Sequence, residues 1–372
     1  MNSFADFNLL PSLQDILNEK KILIPTEIQS RTLPILLGQK SVVGVAETGS
    51  GKTLAYVLPI LHHLKNLENK GEAVEGACSP RGLVIVPTRE LGEQVSKVFK
   101  LFTHTTRLRV RTVLGGTTME VAKKNVKGPF EVLIATPGRI IKFLDRELVN
   151  LNDVRILVFD EADQMLDEGF LPDAKQIVEA CPPERQLALF SATVSDKVQE
   201  LMNELFTSVD VIRSQGSHRL VPTLTTQNLK VLDGKRIPLL EQIVIGSKAG
   251  GTLLFTNTRE QCDSLSEILN KMGCKSAIYR GEMDKVERRS NLKAFRDGKI
   301  DFLISTDLGS RGLDLEQVGR VINYHLPKQM ENYLHRVGRT ARAGRPGLVI
   351  NFVTERDEPL ISQLHQVRSA KK

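Results

Sequence analysis

Three carboxylates, Asp160, Glu161 and Asp163, stand directly after the apolar run Ile156, Leu157, Val158 and Phe159. Far upstream, residues 46 to 53 read Ala-Glu-Thr-Gly-Ser-Gly-Lys-Thr, the spacing of a phosphate loop, with Ala46 where that pattern usually begins in glycine. The backbone N–H groups of such a loop, here Thr48, Gly49, Ser50 and Gly51, cradle phosphates at a helix N-terminus. Lys52 would reach the β and γ phosphates, and the Thr53 hydroxyl would serve Mg²⁺. On this reading Asp160 holds hydrated Mg²⁺, and Glu161 orients and deprotonates the water that attacks the γ-phosphate of ATP. Taken alone, the acids also fit a solvated loop or the first turn of a helix. A phosphate loop with an acidic strand end would equally serve a small-molecule kinase, a transporter ATPase or a translocating motor.

Both groups need a rigid strand to deliver them, and the sequence offers many. Short apolar runs alternate with helical-period segments in the manner of an α/β protein. "SVVGVAETGS", "RGLVIVPTRE", "FEVLIATPGR", "RILVFDEAD" and "LALFSATVS" recur through the first half, and "GGTLLFTNTRE", "IDFLISTDLGS", "GRVINYHLP" and "PGLVINFVTE" through the second. "LVIVPTRE" (83 to 90) and "LLFTNTRE" (253 to 260) both end a strand in Thr-Arg-Glu, which suggests two similar parallel-sheet domains. Between them "RSQGSHRLVPT" (213 to 223) is polar, carries Gly and Pro and has no periodicity, so it reads as a linker. The expected layout is a first domain at 1–213, a linker at 214–221 and a second domain at 222–372.

Composition agrees with two soluble domains. The 372 residues exceed the roughly 250 to 300 at which a single core stops growing, and 41% hydrophobic with 26% charged residues is too apolar for disorder. No apolar stretch approaches a membrane span, and "MNSFADFNLL" lacks the order of a signal peptide, so a cytoplasmic chain without membrane partners is expected. Cys78, Cys181, Cys262 and Cys274 are scattered, which signals neither a zinc site nor a disulfide framework. Residues 214 to 372 carry 26 Lys and Arg against 17 Asp and Glu, whereas residues 1 to 213 carry 25 against 27, so the second half invites a polyanion.

Further motifs narrow the chemistry. Gln29, in "IPTEIQ", can donate to and accept from an adenine edge. Pro87, Thr88 and Arg89, then Gly115 and Gly116, then Thr136, Pro137, Gly138 and Arg139 fall at strand ends. Glycines, small hydroxyls and arginines grip a phosphodiester backbone without reading bases. In "YLHRVGRTARAG", Arg336, Arg339 and Arg342 recur every third residue and could line one side of a helix or turn.

In this order the stretches resemble the DEAD-box RNA helicases, and the resemblance covers nearly the whole chain. It implies two tandem RecA-like domains, each a mainly parallel sheet flanked by helices, and an ATP-dependent enzyme acting on single-stranded RNA or short duplexes. By the same resemblance an upstream aromatic, here Phe4, and Gln29 recognise adenine, while Ser191 and Thr193 couple hydrolysis to strand separation. Arg259 and Thr306 lie near RNA, Asp307 links the sites, and Asp314 approaches the ATP ribose. Arg339 and Arg342 are similar to the family's arginine fingers, and His335 and Arg336 would knit the closed interface. The sequence also departs from the family pattern. Ile22 takes the place of an adenine-stacking aromatic, Glu47 that of a frequent Gln, Arg280 and His325 those of a usual His and Asp, Lys285 that of a Gln and Ala341 that of a Gly. The chain ends soon after its final strand, so target choice is expected from the core surface or a protein partner. An ATP-gated RNA clamp, in which hydrolysis sets residence time, is the alternative activity.

Overall fold

The structure, a computed structural model, describes residues 3–47, 49–74, 76–214, 224–245, 251–280, 283–307, 318–341 and 346–369. It divides into two compact units, Met1–Ser217 and His218–Lys372. Of the expected linker, only Ser214 lies among the described residues.

In the first unit the strands are β1 (Val42–Val45), β2 (Gly82–Ile85), β3 (Val110–Val113), β4 (Val132–Ala135), β5 (Ile156–Phe159), β6 (Gln186–Ser191) and β7 (Asp210–Arg213). They form one sheet in the order β3-β4-β2-β5-β6-β1-β7, and every recorded pairing is parallel. Alternation along the strands sends Val84, Ile134 and Val158 into one buried cluster, and Leu83, Leu133 and Leu157 into another on the opposite face. Helices cover both faces, which is why β5 reads as unbroken Ile-Leu-Val-Phe and has no polar side.

The second unit contains β8 (Leu224–Lys230), β9 (Gly251–Phe255), β10 (Ser276–Tyr279), β11 (Phe302–Ser305), β12 (Val318–Asn323) and β13 (Gly347–Val353). Their order is β10-β11-β9-β12-β13-β8, again with parallel pairings. Matching β8 to β1 and β9 to β2 reproduces the first sheet's order strand for strand, without a counterpart for β7. The repeated Thr-Arg-Glu falls at matching places. Thr88 caps the helix Arg89–Thr106 after β2 by accepting from the Leu91 amide, and Thr258 caps the helix Arg259–Lys271 after β9 by accepting from Gln261. The tripeptide is therefore a helix start used twice: its threonine satisfies an otherwise orphaned N–H, and its glutamate suits the positive end of the dipole.

Candidate active site and nucleic-acid interface

Parallel strands present functional groups at their carboxyl ends, and on the first sheet these ends sort into two neighbouring sets. The ends of β1, β6 and β5 carry the phosphate loop, Ser191 to Thr193, and the acids. The ends of β3, β4 and β2 carry the glycine, threonine and arginine motifs.

The loop turns on glycine. Gly49 and Gly51 have φ of 85° and 91°, and Gly51 begins the helix Lys52–Asn69. A Cβ on Gly51 would lie 2.4 Å from Nε2 of Gln29, so any side chain there would push that amide aside, and the positive φ would add strain. That amide donates from Nε2 to the Gly51 carbonyl at 2.9 Å and accepts at Oε1 from the Thr26 N–H at 2.8 Å. Each end of a Gln amide has room for a second bond, so Gln29 braces the loop and still has one donor and one acceptor available. Thr48 lies outside the described residues.

Lys52 is 5% exposed; its Nζ donates to the Ala46 carbonyl at 2.6 Å and pairs with Glu161 Oε1 at 3.2 Å. Asp160 is 2% exposed and accepts from the Tyr56 hydroxyl at 2.7 Å. Burial raises its pKa above the usual carboxylate range, and Glu161 beside it adds to the shift against the pull of Lys52 and the Tyr56 bond. Tyr56 is itself driven upward, first by burial and then by Asp160, and its hydroxyl also meets the side chain of Thr53. Thr53 and Asp160 thus converge on one hydroxyl, a pair of hard oxygen donors that fits Mg²⁺. Glu161 has φ 52° and ψ 52°, a left-handed backbone that costs a non-glycine residue about 1 kcal/mol and turns the chain from β5 into the helix Ala162–Asp167.

Asp163, whose task the sequence left open, ties the acids to the next strand. Its Oδ2 accepts from both N and Oγ1 of Thr193, each at 3.0 Å, and its own N–H donates to Ser191 Oγ at 3.2 Å. The third carboxylate is a brace between β5 and β6. Glu47, known from the sequence only as a departure, has a buried Oε1 without a hydrogen-bond partner, and burial raises its pKa to about 7 against the pull of Lys52.

Phe4 is 2% exposed, tilted against Phe7 within the hydrophobic core, and Ile22 packs partly buried on the same cluster. The Phe4 ring is turned into the core; Phe4 supports the segment through its backbone, which donates to Leu23 and accepts from Gln14.

The second set forms a connected patch. Gly115 N–H donates to Thr136 Oγ1 at 3.0 Å, and Arg139 Nη2 to the Thr117 carbonyl at 2.5 Å, so the paired glycines and Thr136-Pro137-Gly138-Arg139 are held as one piece. Gly116 has φ 87°. Pro87 is buried, Thr88 caps its helix, and Arg89 is bonded to Glu93 at 2.8 Å.

In the second unit Arg336 is the hub. It is 1% exposed, forms a two-pronged bridge to Asp307 at 2.5 and 2.8 Å, and donates to Asn323, Asn257 and the His325 carbonyl, with Phe255 beneath its guanidinium. From Asn323 a ladder of amides crosses the sheet: Asn323 donates to Asn351, and Asn351 donates to Asn228 and to the Tyr333 hydroxyl. These asparagines are in register on β12, β13 and β8. Sequence reasoning missed the ladder, although "VIN" followed by an aromatic occurs in both β12 and β13 and marks two asparagines where strands seldom carry them. Arg339 is 3% exposed with Nε on the His335 carbonyl. Arg259 is exposed, Thr306 half-buried, and Arg280 bonds to Asp263 and to the Arg259 carbonyl. Ala341 has φ 57°. Asp314 and Arg342 lie outside the described residues, as does the side chain of Lys285.

Comparison with known proteins bears on both units. The family model described as DEAD/DEAH box helicase matches residues 26–201, and that of the helicase conserved C-terminal domain matches residues 235–344. The chain is 36% identical over 353 residues to the DEAD-box ATP-dependent RNA helicase RhpA of Helicobacter pylori, covering 95% of this chain and 70% of that one. It is 33% identical over 372 residues to the DEAD-box ATP-dependent RNA helicase CshA of Geobacillus kaustophilus, covering all of this chain and 77% of the relative. Among solved structures, S. cerevisiae Dbp5 bound to RNA and ADP BeF3 superposes with a TM-score of 0.85 at 27% identity, covering 99% of this chain and 93% of that one. Among the described residues no helix is long and apolar enough to cross a membrane.

Proposed function

Because the chain belongs to the DEAD-box ATP-dependent RNA helicases, we propose a division of labour among its residues in which ATP hydrolysis at the ends of β1, β5 and β6 drives the remodelling of RNA held beside them. The observation that carries it is the bonding of Lys52 to Glu161, and of Asp163 to both Ser191 and Thr193, at adjacent strand ends.

Gln29 offers its spare donor and acceptor to adenine, a pattern that suits adenine and opposes guanine. The apolar contact from Ile22 takes the place of stacking, with Phe4 supporting the segment from below. Lys52 binds the β and γ phosphates. To do so it leaves Glu161, and the carboxylate it had neutralised becomes free to accept a proton from water. ATP thereby arms its own base. Thr53 and Asp160 would hold Mg²⁺, which supplies positive charge to the phosphates when bound. Arg339 and Arg342 add charge to the transferred phosphoryl group from the second unit, and Asp314 meets the ribose.

Pro87, Thr88, Arg89, Gly115, Gly116, Thr136, Pro137, Gly138 and Arg139 hold RNA phosphates on the first unit, with Arg259 and Thr306 on the second. Ser191 and Thr193, through Asp163, connect the hydrolytic acids to this surface; Asp307, Arg336 and His335 do the same on the second unit. The cytoplasm suits cysteines that form no disulfide among the described residues and is the proposed location.

Glu161→Gln tests the reading. The amide keeps the shape but cannot take the proton, so ATP should still bind while phosphate release falls at least about a hundredfold. Turnover within a few fold of the unmodified chain would refute the assignment.

A further inference from the structure

The second unit repeats the strand order of the first apart from β7, so each carboxyl end of the second sheet has a counterpart on the first. β8, β13, β12 and β9 stand where β1, β6, β5 and β2 stand. In the first unit those four ends hold the phosphate loop, Ser191 to Thr193, Asp160 with Glu161, and Thr88. In the second unit the segments that follow the same four strands surround a cavity of about 440 Å³. Open α/β sheets bind ligands at this edge, and the volume lies within the range of small-molecule sites.

The walls of this cavity are cationic. Arg236, in the segment after β8, is half-buried; its Nε donates to the Tyr324 carbonyl at 3.0 Å, which fixes the guanidinium 6.0 Å from the Tyr324 ring centre. Lys328 follows β12 and Arg356 follows β13, and both line the same space. None of the three has an acidic partner among the described residues. Asp357, the acid among the described residues of the wall, is already engaged: its Oδ2 accepts from Thr354 N at 2.8 Å and Thr354 Oγ1 at 2.6 Å. His325 also lines the cavity, and its Nδ1 is buried with no hydrogen-bond partner. Burial, then the guanidinium groups of Arg236 and Arg336, lower the pKa of this ring to about 4. At neutral pH the ring is therefore uncharged and one nitrogen can donate, while the positive field comes from Arg236, Lys328 and Arg356. A carboxylate at position 325 would have cancelled part of that field.

We propose that this cavity is a second phosphate-binding site, one that takes a small di- or triphosphate compound on Arg236, Lys328 and Arg356 with the His325 ring as a further donor. The site adjoins the Arg336 hub. Asn257, on its wall, donates to the Leu326 carbonyl and accepts from Arg336 Nη2, and the His325 carbonyl accepts from Nη1. A bound phosphate would thus touch the residues that hold Arg336 against Asp307, and its occupancy should change RNA-stimulated ATP turnover.

The test uses the full chain carrying Lys52→Ala, which weakens the phosphate loop, and inorganic pyrophosphate as the probe in calorimetric titration. Pyrophosphate should bind, and adding Arg236→Gln with Arg356→Gln should weaken it by about tenfold or more, since charge-assisted bonds to the anion are lost. Absence of binding to the Lys52→Ala chain, or equal affinity after the arginine changes, would overturn the proposal. His325→Asp decides the case should the arginine variant fold poorly: placing an acid in the wall should abolish pyrophosphate binding, and a folded His325→Asp chain that binds normally would also overturn it. Competition separates the sources of phosphate. Displacement by a 5′-triphosphorylated oligonucleotide, but not by its 5′-hydroxyl form, extends the ligand to an RNA end, and no displacement by either confines it to free phosphate compounds.

Discussion

Replacing Asp163 with Asn isolates the brace between the acids and β6, because the change preserves shape, removes the charge and turns one acceptor into a donor. Asp163 is 5% exposed, so water cannot substitute for what is lost. Its Oδ1 accepts from the Gln164 N–H at 2.9 Å, and its Oδ2 accepts both Thr193 bonds. An Asn can turn its oxygen toward one side only. Toward Thr193, it keeps two weakened bonds and sets an N–H against the Gln164 N–H; the reverse orientation sets an N–H against the Thr193 N–H and leaves only an inverted, weaker bond to the Thr193 hydroxyl. With bonds to a charged group contributing about 1.5–3 kcal/mol and neutral ones about 1, the expected cost is about 3 kcal/mol. For a unit of this size that corresponds to a fall in melting temperature of about 6–12 °C. Thr193→Val removes the hydroxyl bond alone, and the double variant should be about 1 kcal/mol less destabilised than the sum of the two. Thermal unfolding measures the stability term, and strands released per ATP hydrolysed measures the coupling, which should fall while ATP affinity holds. Strict additivity, or an Asp163→Asn chain that melts within a degree or two of the parent and releases duplex as efficiently, would refute the brace.

Three further changes have defined outcomes. Glu47 is neutral below about pH 7 and anionic above it, so nucleotide affinity should decline as pH rises through that value, by about two- to tenfold; Glu47→Gln should flatten the profile near its low-pH level, as read by fluorescent-nucleotide titration from pH 6 to 8.5. The same raised pKa means that stability contributed by the neutral acid is lost as pH rises from 4.5 toward 7, and the Gln variant should lack that slope. Ala341→Gly should stabilise the second unit by up to about 1 kcal/mol, because Ala341 occupies left-handed backbone at φ 57°, and denaturant unfolding would show no gain if that conformation were unstrained. Asn351→Leu leaves the buried Asn323 amide without its acceptor; it should cost about 1–3 kcal/mol and reduce RNA-stimulated turnover more than ATP binding, and an effect on stability alone would show that the ladder does not position Arg336.

What the sequence made legible follows a physical line. The nine apolar runs read from it contain β1, β2, β4, β5 and β6 in the first sheet and β9, β11, β12 and β13 in the second, all interior strands buried on both faces. The strands it did not reveal, β3, β7, β8 and β10, are the four sheet edges. "DVIR" and "LTTQNLK" are largely exposed or half-exposed, and a strand with one open side need not carry a continuous apolar run. The site divides similarly. The phosphate loop and the first two acids were readable because each is contiguous and its spacing is its chemistry. Tyr56 lies 104 positions from Asp160, and Thr193 30 from Asp163, so those partnerships belong to strand order. Phe4 shows another limit: the resemblance assigned it to adenine, and residue type alone did not reveal that its ring packs against Phe7 in the core.

The central claim is that ATP hydrolysis on this chain answers to RNA, and ATP turnover titrated with a single-stranded RNA and with DNA of the same sequence tests it most directly. The account predicts turnover that is low alone, rises to saturation with RNA, rises much less with DNA, and stays flat with both in the Glu161→Gln chain. Turnover that is insensitive to RNA, or equally stimulated by DNA, would contradict it.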